Sequence, residues 1–303
     1  MKKIQILTQK GGEGKTTSAT NIAAGLALKG YKTLAVDIDA QENMSDVYYR
    51  KELDPFQING EDTKTEEVDS KRHEGTITEE DILSLGLPST VYDFLTKFNY
   101  ERDVRYSLYG VMIDDVPLSE VIMETNVANL HLVPAHIRLS EIDLKLATML
   151  DNRTAILKNA LLEVEDQYDF IVIDTPPSLG LLTYNALIAT DVVLIPVSAA
   201  YFGLKGLKQL IEAAIFVKKK RLNPDLKVLG VLNTKTDMTN VSVDVVNIIR
   251  EYFGDKAFTT TIPKNVSLEE AHSRKTHIFE HAPHSNGASA YKSLVDEILE
   301  LDL

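Results

Sequence analysis

Residues 8–17 read Thr-Gln-Lys-Gly-Gly-Glu-Gly-Lys-Thr-Thr, a run whose residue types suit the gripping of phosphate. Gly11, Gly12 and Gly14 permit backbone angles closed to other residues and let amide N–H groups approach phosphate oxygens. An apolar run predicts a strand over Lys3–Gln9, and a helical pattern opens at Lys15. The helix N-terminus therefore adds partial positive charge at the loop. In such a loop Lys15 reaches the β- and γ-phosphates, Thr16 ligates Mg2+ and Thr17 bonds the α-phosphate. The ordinary pattern, G-x-x-x-x-G-K-[ST], fails, because Gln9 stands where its first glycine belongs. What fits is K-G-G-x-G-K-T-T, which starts with a second lysine, Lys10. Glu13 is the anomaly, a carboxylate inside an anion-binding loop. At about 6 Å and an effective dielectric near 20 it costs a bound phosphate roughly 3 kcal/mol, and less where water screens it.

Two more segments carry the same chemistry. Phe170-Ile-Val-Ile-Asp174-Thr-Pro-Pro is an apolar strand ending in a carboxylate, the placement of a residue that holds Mg2+ through water. Asp37-Ile-Asp39-Ala-Gln41 closes another aliphatic strand and offers Asp39, with Asp37 as a further metal candidate. Ligands of parallel α/β sheets sit at the carboxyl ends of strands, so all three segments are expected on one edge.

The elements that must position them alternate. Strands are predicted at Thr33–Asp37, Asn129–Pro134, Asp169–Asp174, Val192–Val197 and Lys227–Asn233, with a short one near Phe258–Ile262. Helices are predicted at about Lys15–Lys29, Leu139–Glu165, Leu179–Ile188, Gly203–Arg221, Val241–Tyr252 and Ala288–Leu299. The expectation is a single α/β domain over 1–303, a doubly wound, mostly parallel sheet flanked by helices. Residues 50–90, polar and acidic with scattered Pro and Gly, read as a solvated insertion.

Charge sharpens the picture. The net charge is −13, yet Glu52–Asp81 alone contributes −8, with eleven acidic and three basic residues. Residues 201–250 carry nine Lys/Arg against four Asp/Glu, a net of +5. The absence of cysteine excludes a disulfide scaffold, a thiolate metal site and a cysteine nucleophile. The apolar start stops at Leu7, which argues against a secretory signal, and no apolar run approaches the length of a membrane span.

The lysine-first loop, Asp37-Ile-Asp39-Ala-Gln41 and Ile173-Asp-Thr-Pro-Pro-Ser-Leu-Gly-Leu-Leu-Thr-Tyr-Asn-Ala-Leu187 together resemble the ParA/Soj partition ATPases, within the ParA–MinD group of deviant Walker A P-loop proteins. Val133-Pro-Ala135, Gly203-Leu-Lys-Gly-Leu207 and Ile262-Pro-Lys-Asn-Val266 extend the likeness over most of the chain outside about 46–88. The resemblance implies an ATP- and Mg2+-dependent ATPase that closes into a homodimer, with Lys10 reaching the partner's phosphates. It implies that Asp39 positions or activates the attacking water, that Thr16 and Asp174 serve Mg2+, and that Asn233 and Pro263–Asn265 lie near the adenine. It further implies binding of double-stranded DNA without sequence preference, a ParB-type centromere-binding partner that stimulates hydrolysis, and a cytoplasmic, nucleoid-associated location.

DNA contacts are expected from Lys205, Lys208, Lys218, Lys219, Lys220 and Arg221, with Lys264, Arg274 and Lys275 as weaker candidates. The family has a small or aliphatic residue where Glu13 stands. Its side chain is expected to point from the phosphates toward the dimer partner and to tune the dimer. A MinD-like membrane ATPase is a rival reading, opposed by the acidic ending Y-K-S-L-V-D-E-I-L-E-L-D-L, which anionic lipid repels. A regulatory ATP-binding switch with little hydrolysis is another. Iron–sulfur relatives need interface cysteines, and this chain has none.

Overall fold

A computed structural model describes residues 1–50, 78–92, 103–149, 153–200 and 203–301. Contacts divide the chain into two compact units, Met1–Asp54 with Val104–Leu303, and Pro55–Asp103.

The larger unit is built on seven strands: β1 Lys2–Ile6, β2 Thr33–Asp37, β3 Met123–Glu124, β4 Leu130–Val133, β5 Phe170–Asp174, β6 Val192–Ser198 and β7 Lys227–Thr234. Their order is β3-β4-β2-β5-β1-β6-β7. Six run parallel, and β3 pairs antiparallel with β4 at one edge. Around them lie α1 Lys15–Leu28, α2 Asn43–Tyr48, α4 Leu108–Ile113, α5 Leu118–Val121, α6 Ile142–Thr148, α7 Ile156–Leu162, α8 Leu181–Ala189, α9 Gly203–Lys219, α10 Asn240–Phe253, α11 Val266–Ser273, α12 Ile278–His281 and α13 Asn286–Glu300. In the smaller unit, α3 Glu79–Ser84 starts with a reciprocal capping box between Thr78 and Asp81, which satisfies two otherwise orphaned donors.

The central strands β2 and β5 are buried along their whole length because helices cover both faces. One core joins Ile4, Ile6, Ala35 and Val172 to α1 and α13; others lie under α6–α8 and under α8–α10. At Gly25 a Cβ would lie 2.7 Å from Val295, so only glycine lets α1 and α13 approach this closely. Ser18 and Tyr291 share a buried hydrogen bond of 3.1 Å across the same contact.

Two expectations change. The single helix over 139–165 is instead a 3-10 turn at Ile137–Glu141 followed by α6 and α7. Asn185 on α8 holds the break, donating to Arg153 O at 2.8 Å and accepting from Leu157 N at 3.4 Å. The strand near Phe258–Ile262 reduces to isolated bridges, Val231 with Ala257 and Thr236 with Pro263. The N–H groups of Thr259 and Thr260 donate to the Glu297 carboxylate on α13, at 2.6 and 2.9 Å, which takes them out of strand pairing.

Candidate nucleotide site

β1 leaves the sheet at its carboxyl edge, and the loop turns back through Gly12 and Gly14, with φ of 80° and 82°. These left-handed angles strain any residue with a Cβ. Gly14 passes directly into α1, so the first amides of that helix face the loop. Thr234, at the end of β7, donates its hydroxyl to Glu13 O at 2.8 Å and anchors the loop from the far side.

The register of β2 on β5 sets Asp37 opposite Asp174. Lys15 Nζ donates to Asp174 Oδ1 at 2.8 Å and to Asp39 Oδ2 at 3.3 Å, with Thr16 Oγ1 at 3.3 Å. Lys15 and Asp39 are each 7% exposed in their side chains, and Asp174 is fully buried. Burial disfavours the Lys15 ammonium, but Asp174, Asp39 and Asp37 together outweigh it and raise its pKa. Burial likewise raises the Asp174 carboxyl, with Lys15 and Thr16 pulling the other way. Asp174 Oδ2 is buried without a hydrogen-bond partner, a vacancy in the bonding of a carboxylate that a metal–water shell fits.

Asp37 serves the chain itself. Ser45 N and Oγ both donate to its Oδ2 at 2.8 Å, and Asp39 N donates to Oδ1 at 3.1 Å. Burial and then the charge of Asp174 push its pKa up to about 7, against the pull of these bonds. Asp37 thus pins α2 and the Asp39 turn, which leaves Thr16 and Asp174 as the better-placed metal candidates. Ser45 Oγ also accepts from Ala135 N at 2.8 Å, tying α2 to the end of β4.

A cavity of about 280 Å³ opens here, lined by Lys10, Gly11, Gly12, Gly14, Lys15, Thr16, Thr17 and Asp39 among others. Gln41, Asn43, Pro177 and His272 complete its wall. Gln41 and Pro177 belong to the quoted motifs, whereas no sequence signal marked Asn43 or His272. The residues expected near adenine line no part of this cavity. Asn233 is fully buried with neither amide atom hydrogen-bonded. Pro263 lies on the Thr236 bridge, and Asn265 Oδ1 caps α11 by accepting from Ser267 N at 2.8 Å.

Glu13 corrects the expectation that it faces a partner. It is only 5% exposed, buried within its own chain. Burial pushes its pKa up to about 7, with Lys10 pulling it down.

The basic candidates do not form one surface. Since β6 and β7 are parallel, α9 runs back from the carboxyl edge, and its 17 residues span about 25 Å. Lys218, Lys219, Lys220 and Arg221 therefore lie at the edge opposite the loop. Lys218 Nζ donates to Pro224 O and Leu226 O, both at 2.7 Å, a cap for that turn. Lys219, Lys220 and Arg221 are exposed, and exposed Lys208 pairs loosely with Glu212 at 3.7 Å. The side chain of Lys205 lies outside the described residues. On another side, Lys264 and Arg274 are exposed, and Lys275 pairs with Asp46 at 3.2 Å.

A parallel sheet with a lysine and two carboxylates gathered behind a glycine loop defines a P-loop NTPase. Residues 1–228 match the family model described as "AAA domain". The chain is 37% identical over 296 residues to the sporulation initiation inhibitor protein Soj of Bacillus subtilis, covering 97% of each. It is 37% identical over 302 residues to the chromosome-partitioning ATPase Soj of Treponema pallidum, covering 99% of this chain and 98% of that one. Cobyrinic acid a,c-diamide synthase of Mycobacterium smegmatis, solved with ADP and magnesium, superposes with a TM-score of 0.69 at 26% identity, covering 99% of this chain and 94% of the other. The chain belongs to the ParA/Soj/MinD family of deviant Walker A ATPases. Among the described residues no helix is long and apolar enough to cross a membrane.

Proposed function

We propose that this chain is a Mg-ATP-dependent ATPase that closes into a homodimer, binds double-stranded DNA without sequence preference, and drives plasmid or chromosome partition with a ParB-type centromere-binding partner. The observation that carries the reading is Lys15 held between Asp174 and Asp39 in a cavity that also contains Lys10.

The amides of Gly11–Thr17 cradle the phosphates, with α1 directing its positive end at them. Lys15 exchanges carboxylate oxygens for phosphate oxygens, so Asp39 and Asp174 are released as ATP enters. Thr16 and Asp174 hold magnesium, consistent with the unpartnered Oδ2 of Asp174. When bound, the metal offsets the charge of the phosphates and orients them. Asp39, freed from Lys15, orients the attacking water and takes up its proton. Lys10 of a second copy adds positive charge where negative charge builds on the transferred phosphoryl group. DNA affinity follows dimer closure, because two basic surfaces joined on one particle bind far more tightly than one. Asn233 and Pro263–Asn265 form the base side of the site in this reading, and Lys205, Lys208, Lys218–Arg221, Lys264, Arg274 and Lys275 supply phosphate contacts. The setting is cytoplasmic, on the nucleoid.

The test is DNA binding by the purified protein with ATP, with ADP and without nucleotide, alongside ATP turnover with DNA and a cognate partner. Tight binding confined to the ATP state and stimulated turnover are expected. Equal DNA affinity in all three states refutes the switch.

A further inference from the structure

Beside the end of β4 the chain builds a second basic site that the nucleotide cavity does not use. Tyr109 on α4 is 2% exposed. The guanidinium carbon of Arg138 lies 4.8 Å from the centroid of its ring. Lys145 on α6 places Nζ 5.0 Å from the same centroid and donates to the Tyr109 hydroxyl. The two cationic centres therefore lie within about 10 Å of one another. Both side chains are half-buried. Among the described residues, neither meets a carboxylate at ion-pair distance.

The arrangement is held from behind. Leu108 N donates to Pro134 O at 2.8 Å, joining α4 to the loop after β4, and Arg138 N donates to His136 Nδ1 at 3.2 Å. Stacking on a buried ring fixes the plane of a guanidinium and leaves its fork of donors to an incoming oxyanion. Two cations drawn partly out of water with no counter-charge repel each other, and an anion between them relieves the cost. Arg153 extends the strip; its guanidinium is held against the end of α6 by a 3.3 Å bond to Ala147 O.

We propose that Arg138 and Lys145 form a phosphodiester-binding site for the backbone of nucleic acid, separate from the nucleotide cavity. It rests on the DNA binding proposed above and adds residues to it on the far flank of the sheet from α9. The planar guanidinium of Arg138 and the compact ammonium of Lys145 are both charged donors, which suits the repeating phosphates of a uniform polyanion. Unlike Lys218–Arg221, this site follows the carboxyl end of a strand and shares an edge with the loop. It is joined to Asp37 through Ala135 N and Ser45 Oγ.

The experiment measures binding of the full chain with MgATP to a fluorescent mixed-sequence duplex across a salt series. The double variant Arg138→Gln/Lys145→Gln is expected to flatten the slope of log affinity against log salt by about 0.9 per lost phosphate contact, about 1.8 per protomer. Affinity near physiological salt should fall about tenfold or more. Arg138→Lys and Lys145→Arg, which keep the charge, should retain the slope. Unchanged affinity for a labelled ATP analogue in every variant reports an intact fold. If the wild type binds DNA and the double variant matches it in affinity and slope, the proposal is overturned and the patch belongs to another partner, such as an acidic peptide. If the wild type binds no DNA in any nucleotide state, the DNA reading and this site fall together.

Discussion

Replacing Glu13 by Gln isolates the buried carboxyl of the phosphate loop. In the fold its pKa is pushed from 4.5 up to about 7 by burial, while the unfolded chain keeps the ordinary value. Between those limits the folded state holds a proton that the unfolded state has released. Stability therefore falls as pH rises through this window, and the loss is complete above it. A rise of that size corresponds to about 3 kcal/mol. Glutamine has nearly the same shape and no proton to lose, so the variant escapes the penalty. Urea unfolding of both proteins without nucleotide, from pH 5 to pH 8, should show the variant's advantage growing by about 2–3 kcal/mol and levelling off past pH 7.5. A difference that stays flat across this range would show that Glu13 ionises as freely in the fold as in water, and the burial argument would fail.

Asp174→Asn removes one of the two carboxylates on Lys15 and the oxygen without a partner; titration of a labelled ATP analogue in magnesium and in EDTA should show the stimulation by magnesium cut about 10–100-fold. Ser45→Ala strips two hydrogen bonds from the junction of Asp37 and Ala135, while Ser45 N still donates to Asp37. It should cost about 2–3 kcal/mol in urea unfolding, and a cost under about 0.5 kcal/mol would remove the role assigned to that junction. Charge reversal at Lys219 and Lys220 should abolish ATP-dependent DNA binding in a gel-shift assay while sparing ATP binding; unchanged DNA affinity would move the contact surface elsewhere.

The glycine loop, the strands ending at Asp37 and Asp174, and the helix from Lys15 were legible because local patterns dictate them: aliphatic runs, glycines and a helix start. Tertiary contacts decided what was not legible. The side chain of Asn185 supplies hydrogen bonds that a continuous helix would have made for itself around residues 153–157. Glu297 does the same to the segment at Thr259–Thr260. The short helices α2, α4 and α5 carry too few turns to write a period. His272 reaches the cavity from α11, a placement that no spacing along the chain encodes. The direction of Glu13 is not written in the local sequence for another reason: two flanking glycines leave a side chain's orientation undetermined until Thr234 fixes the loop.

The packing of Gly25 against Val295 also carries a consequence for the order of events during synthesis. These two contacts are about 270 residues apart in the chain, which at bacterial or eukaryotic elongation rates amounts to about 15–50 s of translation. Through that interval the helix that begins at Lys15 exists without the neighbour that covers one side of it. Ser18, in its first turn, likewise waits for Tyr291. The helix that carries the phosphate loop is thus made well before the neighbour that packs against it, and its packing is completed only when that neighbour has been synthesised.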